Sequence, residues 1–217
     1  MADRAPLQPE VSAQAPPSQA EREAFRDQLF REIRARHPSF RVAIREDALF
    51  FAHYGGEPEL PTTPLGVWLL ALRLAWTTDA FLGLALYRVR AALMARGIPI
   101  LPEILHRLSM LWCGLCIGRY TVIEPGVYVP HGQSVIDGLC EIGSRSVITP
   151  FTSIGLRGAI GGPKIGRGVF IGTGCRILGN MRIGDGAVIG ANAVVLGDVP
   201  EGTTVVGAPA RPVQRSR

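Results

Sequence analysis

The sequence predicts an α+β chain, with a helical N-terminal region followed by a parallel β-helix of hexapeptide repeats. Three observations carry this. Between Lys164 and Val199 an aliphatic residue returns at every sixth position: Ile165, Ile171, Ile177, Ile183, Ile189 and Val195. That period is neither the 3.6 of a helix nor the 2 of a plain strand, and it is the mark of a hexapeptide β-helix. The same period runs through Ile136, Ile142, Ile148 and Ile154, and, before one inserted residue, through Ile117, Ile123 and Val129. The first half of the chain lacks the period and carries helix start and stop signals instead.

Each hexapeptide is read as one short strand and one turn, and three of them close a triangular coil. The aliphatic residue points inward and stacks on its equivalent three hexapeptides later. One coil cannot bury its own row, so coils must stack. The residue after the aliphatic one sits near a corner, where glycine costs least sterically. Four of these positions are Gly166, Gly172, Gly184 and Gly190. Four to five coils are expected over 117–199. Leu156 to Pro163 reads as a loop leaving the β-helix, and Pro200-Glu201-Gly202 as its end.

In the helical part, Ser18 to Glu21 has the form of a capping box. Phe25, Leu29 and Ile33 follow at four-residue spacing, and His37-Pro38 should end this helix. Ser39 can cap a second helix through about His53. Thr63-Pro64 supplies an N-cap and a proline at the first helical position. Leu65 to Arg96 is the most apolar stretch, but Arg73 and Asp79 interrupt it, and Thr77-Thr78-Asp79 reads as a break and a new cap. Two packed helices are expected here rather than one span of about 20 apolar residues, and peripheral membrane association stays open. Gly97 should close the second of them, and Pro102 opens a last short helix through about Trp112. The expected division is a disordered tail over 1–17, a helical domain over 18–116, a β-helix acyltransferase domain over 117–199 and a basic tail over 200–217.

Net charge is +5, which favours anionic partners such as a phosphorylated cofactor. No Lys/Arg block with interleaved aromatics occurs, so nucleic acid is not an expected partner. The N-terminal stretch has no apolar core, so no signal peptide is read. A cytoplasmic location with reduced cysteines is expected.

Of four histidines only His131 lies in the β-helix. It stands at a coil edge beside the one-residue irregularity, where function concentrates on a regular scaffold. Histidine accepts a proton near neutral pH; the bland alternative is a surface residue on a turn. His37, His53 and His106 read as structural or solvated. Trp112-Cys113-Gly114-Leu115-Cys116 imitates a thioredoxin-type motif, but that motif opens a helix at its first cysteine and this one ends a helix. Cys140 and Cys175 have no zinc spacing, and a single solenoid histidine cannot build a metal site, so no metal is expected.

From Lys164 onward, the stretches KIGRGVFIGTGCRILGN, AVIGANAVVLGDVP and TTVVGAPARPV closely resemble the C-terminal half of serine acetyltransferases and related hexapeptide O-acetyltransferases. Leu86-Tyr87-Arg88 to Gly114 also resembles the helices before that β-helix. The resemblance implies a left-handed coil, acetyl-CoA as donor, and a homotrimer or dimer of trimers with active sites between neighbouring β-helices. It implies His131 as catalytic base and Gly155 as the backbone N–H donor to the oxyanion. It implies pantetheine beside Gly155, Thr173 and Ala191 and the nucleotide phosphates near Arg211, although Thr173 and Ala191 could equally serve only to keep a turn small.

The departures shape the expected substrate. Cys116 stands where the family carries the aspartate that orients the base. Pro130 and Gly162 stand where it carries an aspartate and a second histidine, and the tail that binds cysteine synthase is not expected here. Glu124 and Glu141 are the carboxylates nearest in register to support His131. The expectation is acetyl transfer to a hydroxyl of a saccharide or saccharide precursor. The alternatives are a serine O-acetyltransferase of cysteine biosynthesis and a non-catalytic trimeric scaffold.

Overall fold

The structure is a computed structural model that describes residues 19–157 and 161–213. The expected tail 1–17, the cap at Ser18, the tip of the loop at 158–160 and the basic residues 214–217 lie outside the described residues.

Five helices come first: α1 (Gln19–Arg36), α2 (Phe40–Tyr54), α3 (Pro64–Thr77), α4 (Asp79–Ala95) and α5 (Leu101–Cys113). Their ends follow the local chemistry. Ser39 precedes α2 in an extended conformation, without a side-chain cap bond. Thr63 Oγ1 accepts the Gly66 N–H at 3.1 Å, and Pro64 takes the first helical position. Thr78 is extended, at φ −134° and ψ 108°, and α3 and α4 meet at 118°. Among the described residues no single helix is long and apolar enough to cross a membrane. Gly114, at φ 59°, closes α5 in the left-handed conformation that suits glycine.

The β-helix follows in five coils. β1 (Leu115–Ile117), β2 (Val122–Ile123) and a bridge at Tyr128 make the first. β3 (Ser134–Ile136), β4 (Glu141–Ile142) and β5 (Val147–Ile148) make the second. The third holds β6 (Ser153–Gly155), β7 (Lys164–Ile165) and β8 (Phe170–Ile171). The fourth holds β9 (Arg176–Leu178), β10 (Arg182–Ile183) and β11 (Val188–Ile189). β12 (Val194–Val195), a bridge at Val199 and β13 (Thr204–Val206) make the fifth. The walls are sheet A (β1-β3-β6-β9-β12), sheet B (β2-β4-β7-β10) and sheet C (β5-β8-β11-β13), all parallel, the left-handed β-helix expected from the sequence. β14 (Arg211–Pro212) folds back antiparallel on β13 at the edge of sheet C.

The sixfold register is the core. Ile136 pairs with Ile154, Ile154 with Ile177 and Ile177 with Val195, all at most 2% exposed. The loop after Gly155 lengthens the third coil without breaking the pairing, since Ile142 still meets Ile165. A second buried row lies two residues before the first and is mostly small: Cys140, Ser146, Thr152, Cys175, Ala187 and Ala193. The strands also run past both expected boundaries. Leu115 pairs with Ser134, and Val205 pairs with Ile189, so Pro200-Glu201-Gly202 is a corner inside the last coil.

One buried ion pair joins the two parts. Arg88 on α4 donates from Nε and Nη2 to the Asp47 carboxylate on α2, at 2.8 and 3.2 Å. Its remaining donors reach the carbonyls of Ile123 and Glu124 at the end of β2. Asp47 Oδ1 accepts the N–H groups of Gly126 at 2.7 Å and Val127 at 3.4 Å. Both residues are at most 3% exposed. Removing one partner leaves the other charged and unpaired. Arg88→Met is therefore expected to cost about 3–5 kcal/mol, read as a fall in the urea midpoint at unchanged slope.

Nearby, Tyr87 Oη donates to the Thr121 carbonyl at 2.9 Å and accepts the Ile123 N–H at 3.2 Å. His37 packs on this ring, and burial, with the positive charges of Arg88 and Arg90, pushes its pKa from 6.5 down to about 4. Between those values the unfolded chain binds the proton more readily, so stability falls as pH drops from 6.5 through 4. The full loss is up to about 3 kcal/mol. Denaturant melts across this range should show that slope in the wild type and a flatter one in His37→Gln.

Candidate active site

The corner that leads from sheet C to sheet A carries the site. In the first coil it is Pro130-His131-Gly132-Gln133, the stretch with the extra residue. In the next coils it is Thr149 to Phe151, Gly172 to Gly174 and Gly190 to Asn192. His131, Thr173 and Ala191 thus stand along one edge of the solenoid, two coils separating His131 from Thr173. All three are exposed. Thr173 Oγ1 donates to Thr149 Oγ1 at 3.2 Å across one coil step. Ala191 sits against Gly172, where a methyl group would come within 2.7 Å of the Ala191 nitrogen.

The extra residue lets the chain dock on the C-terminus of α5. A methyl group at Gly132 would stand 1.6 Å from the Cys113 carbonyl oxygen, so only glycine fits. Gln133 follows at φ 64°, a conformation uncommon outside glycine. Together they turn His131 into a cleft of 720 Å³. The break between α3 and α4 supplies Thr77, Thr78 and Asp79 to one wall. Met110, Leu111 and Trp112 of α5 form the second, and Pro150 and Phe151 of the next coil the third.

The carboxylate that lines this cleft with His131 is not one of those expected. Glu124 accepts the Ser144 N–H at 2.9 Å, and Glu141 is paired with Arg36 and Lys164. Burial alone would raise the Glu141 pKa, but Arg36 and Lys164 outweigh it and hold the carboxyl below its usual value. Both line a separate 650 Å³ cleft on sheet B. They are near His131 in register and on another wall in space. Asp79 lines the His131 cleft instead, and among the described residues its side chain has no hydrogen-bond or ion-pair partner. The sequence showed it only as a helix start.

Gly155 ends β6 and so lies at the far corner of sheet A. One strand of three residues, about 10 Å, separates that corner from the one carrying His131, so a single chain does not bring the two together. Arg211 lies exposed on β14, beside β13. Burial disfavours the thiolate form of all four cysteines. Burial, then the Asp79 charge, pushes the Cys113 thiol up to about 11. Burial, then Asp137, raises Cys116. Among the described residues no group of three His, Cys, Asp or Glu side chains could hold a metal ion.

A triangular coil with an exposed histidine at a corner cleft defines the class of hexapeptide transferases. Residues 162–197 match the family described as bacterial transferase hexapeptide (six repeats). The chain is 40% identical over 137 residues to a serine acetyltransferase of Synechocystis sp., covering 61% of this chain and 55% of that protein. It is 36% identical over 135 residues to that of Helicobacter pylori, covering 60% of this chain and 79% of the relative. The chain belongs to the serine acetyltransferase family, although it spans little more than half the length of the Synechocystis relative. Among solved structures it superposes on serine acetyltransferase of Neisseria gonorrhoeae in complex with serine. The TM-score is 0.67 at 28% identity, with 85% of this chain and 73% of the other covered. A serine acetyltransferase in complex with CoA gives a TM-score of 0.68 at 28% identity, over 86% and 74% of the two chains.

These relatives overturn the expectation of a saccharide acceptor, which rested on Pro130 and Gly162. The physical reason is that the cleft is not built from those positions alone. Gly162 does not line it, and its helical walls contribute groups, Asp79 among them, that β-helix register does not place.

The Gly132 contact is directly testable. Gly132→Ala should displace the His131 corner from α5, with a fall in melting temperature of several degrees and loss of any acetyl transfer. Differential scanning calorimetry and free-CoA release measure the two.

Proposed function

We propose that this protein transfers the acetyl group of acetyl-CoA to the hydroxyl of serine. The observation that carries the reading is His131 at the mouth of a cleft whose edge continues along Thr173 and Ala191. The relatives solved with CoA and with serine support it.

The edge fits an extended thioester arm. Its corners are Gly172-Thr173-Gly174 and Gly190-Ala191-Asn192, small enough to leave backbone groups accessible. On this reading the pantetheine chain lies beside Thr173 and Ala191, with Arg211 toward the nucleotide phosphates. The acetyl thioester supplies the electrophilic carbonyl. His131 takes the proton of the serine hydroxyl as the oxygen forms its bond to that carbonyl. The tetrahedral oxyanion is held by a backbone N–H, and Gly155 is the candidate by family position. When the C–S bond breaks, His131 returns the proton to the CoA sulfur. No covalent enzyme intermediate is required, because holding both reactants together supplies much of the acceleration.

Since His131 and Gly155 occupy different corners of one chain, the reading uses a homotrimer in which each site draws on two neighbouring β-helices. Cys116 stands at the family position of the orienting aspartate, and a thiol does not stabilise the imidazolium as a carboxylate would. The negative end of α5, against which Gly132 is docked, favours that charge.

The test is purified full chain with acetyl-CoA and L-serine, followed by release of free CoA. Turnover in the ordinary range of about 1–10³ s⁻¹ is expected. His131→Ala should lower kcat by about 10²–10⁴-fold with acetyl-CoA affinity retained. Serine-independent CoA release, or full activity in His131→Ala, would refute this reading.

A further inference from the structure

The serine reading raises a question of charge, because the acceptor is a zwitterion and its ammonium must find a partner in the cleft. Of the cleft's lining side chains, only Asp79, Cys113 and His131 can titrate, and none is Lys or Arg. Asp79 is the single carboxylate. The cleft also receives the C-terminal end of α5, from Met110 to Gly114, where the helix dipole is negative. Two independent sources of negative potential, the Asp79 carboxylate and the end of α5, therefore meet in a pocket that no Lys or Arg side chain lines.

Asp79 is held in place from behind. Ala80 and Phe81, the next residues of α4, are each 1% exposed. One turn on, Gly83 packs so closely that a methyl group there would lie 3.0 Å from Cys113 Cβ. The Cys113 carbonyl in turn touches Gly132, the neighbour of His131. The carboxylate and the imidazole are thus mounted on one continuous piece of packing, from α4 through the end of α5 to the first corner. Asp79 itself is exposed to the cleft and unpaired among the described residues.

We infer that Asp79 is the specificity-determining residue of this cleft, receiving the α-ammonium of the acceptor amino acid while His131 acts on its hydroxyl. The inference rests on the serine reading and deepens it. It gives this chain a route to an amino-acid acceptor that does not pass through positions 130 and 162. Thr78 and Gln133 remain as neutral hydrogen-bonding groups for the rest of the substrate, the Thr77 hydroxyl being spent on the Arg73 carbonyl at 2.9 Å.

The experiment compares wild type, Asp79→Asn and Asp79→Glu as full chains, with L-serine as acceptor. 3-Hydroxypropionate, which keeps the hydroxyl and carboxylate but lacks the ammonium, serves as a competitive inhibitor. Asp79→Asn should raise the KM for serine by about 10–100-fold, the value of a charged hydrogen bond. Its kcat should stay within about threefold, and the KM for acetyl-CoA and the inhibition by 3-hydroxypropionate should not move. Asp79→Glu should recover most of the serine KM, which separates charge recognition from damage to the start of α4. An unchanged serine KM in Asp79→Asn overturns the inference. So does a fall in kcat accompanied by a shifted acid limb of the pH–kcat profile, because Asp79 would then be a positioning residue for His131. If wild type binds acetyl-CoA but does not acetylate serine, the serine reading fails and the inference falls with it.

Discussion

Arg88 and Asp47 meet where the helices join the β-helix, and neither reaches water. Desolvating two charges is costly, and their attraction offsets that cost only when the remaining donors and acceptors are also satisfied. Here the guanidinium reaches two carbonyls at the end of β2, and the carboxylate receives two N–H groups of the following corner. The planar fork of arginine makes this geometry available, and a lysine ammonium could not reproduce it. The pair therefore fixes α2 and α4 against the first coil. Asp79 opens that same α4, so the ion pair also sets where the helical wall of the cleft stands relative to His131.

The solenoid was legible because its physics is local and repeated. A six-residue period forces the same residue type inward at each turn, and Ile165 through Val195 obey it. The helix boundaries were legible for a similar reason: Thr63-Pro64, the Thr77–Asp79 break and Gly97 act on their own backbone. Less visible was the second inward row at Cys140, Ser146, Thr152 and Cys175. Most residues of that row are small, and small residues carry little hydrophobic signal. The last coil was cut short in the reading because Pro200-Glu201-Gly202 has the composition of a terminus and here forms one more corner.

The cleft was legible only in part. His131 stood out by its position beside an irregular turn, and the structure shows what the irregularity does: it lets Gly132 rest on the end of α5. The accompanying carboxylate could not be found by counting along the β-helix. Glu124 and Glu141 lie at the right register and serve other contacts, whereas Asp79 lies two helices before the solenoid and reaches the cleft only through the bend between α3 and α4. Residues on a repeat can be placed by arithmetic. Residues that approach a repeat from outside depend on packing between elements, and packing leaves no period in the sequence.

The backward fold of β14 onto β13 bears on self-assembly. A stack of identical parallel coils is periodic along its axis, and each end offers the next strand's hydrogen-bonding groups to any chain of the same pitch. On sheet C that template is occupied by a strand running the opposite way, with Pro212 lacking an N–H and Arg211 adding a charge at the rim. A second molecule arriving in parallel register would meet the wrong polarity there. Growth along this wall of the axis is thereby interrupted.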